Sequence, residues 1–348
     1  MISIALAFGA AFLFGLALVL TQFGLRDVPA LAGAAISIPS STLLFACVTP
    51  IALRDATIAW EAVPIFAAVG LMFPGTVTLL TFAANHALGP VMTGALGNLA
   101  PLFAVALAVA FLGEPLQALQ LAGLIVTVAG IVLLTAPRHD DVRRRLSWYL
   151  LLPLAAAALR GITQATIKLG LEIWPSPLAA AMVGYMVSTV VVLTAVKLRT
   201  GRFVADARPR VPTSQVQASV RRAHLIKWPR WPLASLASEA RAPTSQVQAS
   251  VRRAHLIKWP RWPLASLASA PRGLLWFAAV GWCNGIAALL MYAALATGPV
   301  TLVSPLVATY PLVTVGLSLL VLRKIAVSPR LALAVALTVA GVALLIVG

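Results

Sequence analysis

Acidic residues are scarce in this chain: nine Asp and Glu stand against 26 Lys and Arg in 348 residues. The nine are Asp27, Asp55, Glu61, Glu114, Asp140, Asp141, Glu172, Asp206 and Glu239, and none falls at the centre of a long apolar run. A buried carboxylate with a shifted pKa is the common carrier of a proton through an apolar medium. Its absence points away from proton antiport and towards facilitated diffusion or exchange. Cysteine is scarcer still. Cys47 and Cys283 both lie in apolar runs, where a thiol acts as a small hydrophobe, so neither a disulfide framework nor a cysteine metal site is expected. The His-Glu-x-x-His pattern, the Gly-x-Ser-x-Gly turn, paired intramembrane aspartates and Cys–His pairs are also missing. That removes the recognisable intramembrane enzymes and leaves no catalytic residue, metal ligand or cofactor motif to name.

Charge as a whole is thin. Charged residues make up 10% of the chain, against about 25% in soluble domains, too few to cover a water-facing surface. Hydrophobic residues make up 61%, and the mean hydropathy of +0.96 makes lipid the main solvent. Ten apolar runs stand out, at 2–22, 30–52, 60–85, 90–112, 117–136, 147–168, 177–198, 274–296, 299–322 and 328–347. A spanning helix needs about 20 such residues. The runs lack the alternation of a β-barrel, and backbone groups in lipid must bond within their own segment, so the spans are helices. The N-terminus carries neither the positive flank nor the cleavage pattern of a signal peptide, and the first run is expected to be a retained helix. Short connections make successive helices neighbours.

A polar stretch from Pro137 to Arg145 divides the runs into two sets of five, and the sets resemble each other. Gly15, Gly24-Leu25 and Pro29 recur as Gly161, Gly170-Leu171 and Pro175, at a constant offset of 146. Phe66–Gly70 has the same five residues as Phe277–Gly281. Gly89-Pro90-Val91 matches Gly298-Pro299-Val300, Pro101-Leu102 matches Pro311-Leu312, and Thr127–Gly130 matches Thr338–Gly341. An odd number of helices per half inserts the second copy upside down. The expected architecture is an all-α membrane protein of about ten transmembrane helices, built as two inverted five-helix repeats at 1–136 and 147–348. Such repeats recur in secondary transporters, with the solute held where the halves meet.

The first half carries Gly89-Pro90, Pro101, then Leu112-Gly113-Glu114-Pro115-Leu116, Gln120-Leu121-Ala122-Gly123 and Gly130. This series resembles the end of an EamA domain, and the second half repeats it more loosely. The chain thus resembles the EamA-like transporters of the drug/metabolite transporter superfamily over 1–198 and 273–348. The resemblance implies a ten-helix carrier of metabolites, often an exporter of amino acids or similar solutes. Two departures stand out. Glu114 aligns with Lys324, and the Arg that relatives often carry early in helix two is replaced by Ile36-Ser37-Ile38-Pro39.

An ionisable side chain within a span is expensive and tends to face the bundle interior or a water-filled path. Arg160, Gln164 and Lys168 recur every fourth residue with Thr163 beside them, which puts a polar stripe on one face of the sixth helix. The aligned residues of helix one are Phe14, Leu18 and Gln22, so the stripe belongs to one half only. Two readings stand open. In one, the stripe is a cationic wall of the substrate path, suited to a carboxylate or phosphate. In the other, Arg160 bonds helix-end carbonyls while Lys168 reaches the headgroups. Gln22, Asn98, Trp282, Asn284 and Tyr310 are further candidates for the path, each also suited to interhelical hydrogen bonding or packing. Pro39, Pro74, Pro101, Pro305 and Pro311 are candidate kinks, and Glu114 and Glu172 are placed to cap or meet solvent at helix ends.

The segment 199–272 differs from everything around it. It holds net charge +12 of the chain's +17, and within it Pro212–Ser238 recurs without a change as Pro243–Ser269. Each copy pairs Arg-Arg and Lys with Trp-Pro-Arg-Trp-Pro, a composition suited to anionic lipid headgroups. A tolerated insertion that transport does not need is the other reading. No nucleic-acid-binding motif is present, and nucleic acid is not an expected partner. The distribution of Lys and Arg puts both termini outside the cytoplasm, whereas the family resemblance implies both inside.

The expected function is secondary transport or export of a small metabolite (amino-acid-like, organic-anion or drug-like) by alternating access, in a bacterial plasma (inner) membrane. The alternative is a non-transporting scaffold that recruits a partner or lipid through its basic loop.

Overall fold

In a computed structural model, the chain is described over residues 1–54, 56–88, 90–135, 148–200, 271–322 and 329–348. The basic tandem repeat, the 138–145 connection and Lys324 lie outside these residues. The described residues are helical, with turns between, and contain no strand. Thirteen α-helices follow in order: α1 Ile2–Gly24, α2 Ala30–Ala52, α3 Val63–Gly70, α4 Val77–Leu88, α5 Pro90–Gly97, α6 Ala100–Leu112, α7 Ala118–Thr135, α8 Leu151–Ile173, α9 Pro177–Thr200, α10 Pro271–Thr297, α11 Val300–Val307, α12 Tyr310–Leu322 and α13 Pro329–Val347.

Three of the expected runs are built from two helices each, which accounts for thirteen helices in ten runs. Two of the breaks have one cause. Proline lacks an N–H, and its ring clashes with the carbonyl four residues earlier. Pro101 therefore ends α5 at Gly97, and Pro311 ends α11 at Val307. Across each break the chain tightens into i→i−3 bonds: the Leu99 amide donates to the Leu96 carbonyl, and Thr309 to Leu306, both at 3.1 Å. The third break is more severe. Between α3 and α4 the chain passes through a wide turn at Leu71–Thr76, with Phe73 in an extended conformation (φ −134°, ψ 133°) before Pro74. Pro39 and Pro305, by contrast, sit inside continuous helices.

Nine helical stretches of the described residues are long and apolar enough to cross a bilayer, and α7 contributes a tenth, shorter apolar helix of Ala118–Leu134. Large apolar side chains point outward, including Phe111 at 76% exposed, Leu43 and Val190 at 65%. A water-soluble surface does not carry so many, so this is the lipid-facing side of an integral multi-pass membrane protein.

Small residues set the helix contacts. Gly24 and Gly33 lie against the Phe277 ring, and Gly170 lies against the Phe66 ring. α7 and α13 pack along their lengths, with Gly123 and Gly130 opposite Leu345 and Thr338, and Gly341 opposite Thr127. A β-carbon at Gly341 would collide with the Thr127 backbone, so only glycine permits that separation. Gly70 approaches the Gly184 carbonyl as closely, joining α3 to α9. Residues 1–199 and 270–348 make up one compact unit.

Candidate functional site

A cavity of about 290 Å³ lies among α1, α2, the α3–α4 break, α5–α6, α8, α9, α10 and α11–α12. Its walls exist because spans break beside it: Phe73 and Pro74 come from one break, and Asn98, Ala100 and Pro101 from another. Ala308 and Tyr310 come from the third. Most of the wall is apolar, with Phe14, Leu18, Phe82, Phe277, Val280 and Met291 among its members.

Freed backbone groups at the α3–α4 break are taken up by the Ser188 side chain of α9. Its hydroxyl donates to the Gly70 carbonyl at 2.5 Å and accepts from the Gly75 amide at 3.2 Å. The Thr76 hydroxyl satisfies the Leu71 carbonyl at 2.8 Å. A broken helix at membrane depth persists when its open bonds find such partners. The break holds the Phe73 ring under Arg160, whose guanidinium carbon is 5.9 Å from the ring centroid. An aromatic face attracts a cation at that range.

Arg160, Thr163 and Gln164 of α8 all line the cavity, one helical turn carrying all three. Thr163 spends its hydroxyl on the Leu159 carbonyl of its own helix at 2.7 Å. Arg160 and Gln164 do not settle inward in this way: Arg160 Nε and Gln164 Oε1 are buried with no hydrogen-bond partner in the protein. Ser304 of α11, 1% exposed, also lines the cavity and leaves its Oγ unpartnered. Buried polar atoms are nearly always paired; of the six unpaired ones among the described residues, these three belong to residues lining one cavity, and Thr49 Oγ1, Thr127 Oγ1 and Tyr292 Oη lie elsewhere.

The other expected path residues divide. Tyr310 and Asn98 line the cavity and bond each other, the tyrosine hydroxyl donating to Asn98 Oδ1 at 2.8 Å. Asn284 lines it too, and its backbone carbonyl accepts the Tyr185 hydroxyl at 3.2 Å. Lys168 does not reach the cavity, because its Nζ donates to the Gly298 carbonyl at 2.7 Å, beyond the end of α10. Gln22 is exposed, and Trp282 is 53% exposed on the outer side of α10. Glu114, in the connection between α6 and α7, caps a helix distant in sequence: its two carboxylate oxygens accept the Val300 and Thr301 amides at 2.8 and 2.9 Å. Those are the first amides of α11, whose positive end favours an anion.

Sequence reasoning did not pick out Ser304, Phe73 or Ser188. For Phe73 a signal existed, since the Phe73-Pro74-Gly75 triplet marks an interrupted helix inside an apolar run, whereas Ser304 and Pro305 sit inside a continuous helix. For Ser188 there was none. Its role depends on α9 passing the break in space.

Known proteins show the same fold. One solved crystal structure, 18% identical, superposes with a TM-score of 0.63 over 98% of this chain and 95% of that one. No curated protein matches the sequence. Residues 1–136 match the EamA-like transporter family. By that segment, within a fold of about ten apolar helices, the chain is similar to the EamA-like transporter family over its first 136 residues.

Proposed function

We propose that this protein is a secondary carrier that moves one small solute at a time by alternating access, with the central cavity as its binding site. The observation that supports this most is the trio of buried, unpartnered atoms, Arg160 Nε, Gln164 Oε1 and Ser304 Oγ, on the wall of one cavity. Three more buried atoms without a partner, Thr49 Oγ1, Thr127 Oγ1 and Tyr292 Oη, lie off the cavity; the three on its wall share one space that a solute can fill. Residues 1–136 and 147–348 act as inverted five-helix halves that exchange conformations around the cavity. Reciprocal contacts favour this: Gly24 on Phe277 answers Gly170 on Phe66, and Gly15 beside Tyr310 and Val313 answers Gly161 beside Phe103 and Ala104. No carboxylate stands among the described residues lining the cavity, which favours facilitated diffusion or exchange over proton coupling. The apolar helical spans suit a bacterial plasma (inner) membrane.

The test is uptake by proteoliposomes from a panel of labelled amino acids, sugars and organic anions, with and without a pH gradient. Saturable uptake that Met291→Trp abolishes by filling the cavity, and that a pH gradient leaves unchanged, is the expected result. Uptake insensitive to a filled cavity overturns the assignment of the site. Failure of every solute, with recruitment of a partner or anionic lipid lost on deleting 212–269, establishes the scaffold instead.

A further inference from the structure

Resting on the reading of the cavity as a solute site, we infer that the solute is an amphipathic monocarboxylate. Its carboxylate meets Arg160, an uncharged hydrogen-bond donor meets Gln164, and an apolar body lies against the aromatic wall.

The charge follows from what Arg160 has and lacks. It is the sole cation among the described lining residues, and its Nε has no protein partner. A buried guanidinium is stabilised by a paired anion, and its planar fork matches a carboxylate. The Phe73 ring supports the guanidinium at 5.9 Å but offers it no acceptor. One cation answers one negative charge. Lys168, the nearest cation along the α8 stripe, is committed to the Gly298 carbonyl, so the second charge of a phosphate dianion goes unmatched. An ammonium group fares no better, because no carboxylate lines the cavity among the described residues. The zwitterion of a free amino acid therefore leaves its positive end unpaired.

Gln164, 5% exposed, presents an unpartnered acceptor one turn along α8 from Arg160, on the same face. An N–H or O–H of the solute satisfies it, and the Ser304 hydroxyl across the cavity either donates or accepts. Phe14, Phe82, Phe277 and Met291 surround the remaining space. A volume of 290 Å³ stands at the small end of ligand pockets, which run from about 300 to 1,000 Å³. It holds one ring-sized body with its polar head.

Equilibrium binding and uptake by the full chain in proteoliposomes separate these possibilities, using four labelled probes: N-acetylphenylalanine, its neutral primary amide, free phenylalanine and phenyl phosphate. The expected result is binding of N-acetylphenylalanine at least about tenfold tighter than the other three, the size of one charge-assisted contact. Arg160→Gln abolishes that preference, Arg160→Lys keeps part of it, and Gln164→Leu weakens N-acetylphenylalanine severalfold. Equal or tighter binding of the amide, free phenylalanine or phenyl phosphate overturns the monocarboxylate assignment. If Met291→Trp blocks that binding, the cavity remains the solute site. Should Arg160→Gln fail to fold, the wild-type ranking of the four probes decides by itself. Absence of binding and uptake for all four, in protein with a helical spectrum and a cooperative thermal transition, overturns both the class and the site.

Discussion

The third span and α10 share the same five residues, Phe66–Gly70 and Phe277–Gly281, and then part company. Three positions on, one chain reads Phe73-Pro74 and the other Asn284-Gly285. The first breaks into a wide turn with Phe73 extended, whereas the second continues unbroken over Pro271–Thr297. Both pack closely through their shared final glycine, Gly70 on Gly184 and Gly281 on Ser37 and Ser40. The motif thus governs how the helix meets its neighbour, and the residues that follow govern whether it stays a helix. The break is where the cavity acquires Phe73 and its contact to Arg160, while at the aligned place α10 supplies Asn284, whose carbonyl holds Tyr185. Related stretches of sequence have been put to unlike uses on the two sides of one site.

That difference can be erased. Pro74→Ala removes the cause of the break and lets the third span run on as α10 does, carrying Phe73 away from Arg160. Solute uptake is expected to fall by at least about tenfold, or 1.4 kcal/mol in apparent affinity, with helix content by circular dichroism unchanged or raised. Ser188→Ala keeps the proline but strips the break of its staple, leaving the Gly70 carbonyl and Gly75 amide unpaired. A cost of about 1–3 kcal/mol is expected as a lowered unfolding temperature in detergent, a penalty with no counterpart in α10. Phe73→Ala retains the break and removes only the ring beneath Arg160, worth about 0.5–2 kcal/mol. Weakened anion binding with little change in thermal stability is the expected signature.

Tyr310→Phe acts at the other broken pair of helices, where it deletes the bond to Asn98. About 0.5–1.5 kcal/mol, seen as a severalfold change in solute affinity, sets the scale of an ordinary interhelical bond. The smallest effect is expected from deleting 212–269. A precise tandem duplication within a segment that carries most of the net charge follows α9 in the sequence, and uptake per molecule should be unaltered in proteoliposomes.

Helix count was legible because the bilayer imposes a length and an apolarity on every span. Even so, α7 is short among the described residues, and only a chain-wide view makes it the tenth helix. Breaks at Pro101 and Pro311 were also legible, since proline acts on its own helix through local geometry. Under the same rule Pro39 and Pro305 do not end their helices, which run on through them. In the candidate site, the Arg160–Gln164 stripe follows from a four-residue spacing, but the fourth member, Lys168, is drawn off to the Gly298 carbonyl of another helix. Trp282 and Gln22 looked like path residues because they are polar or amphipathic within apolar runs; both are exposed on the structure. Composition tells which residues are unusual in lipid and not which way a helix turns them.

Solvent class, helix number and the cationic stripe of α8 were therefore determined by the sequence alone, because each depends on composition or spacing within a single segment. Tertiary structure decided which polar atoms are left unpaired. Whether Arg160, Gln164 and Ser304 keep their hydrogen-bonding capacity for a solute depends on what other helices place within about 3 Å of them, and no local pattern carries that information.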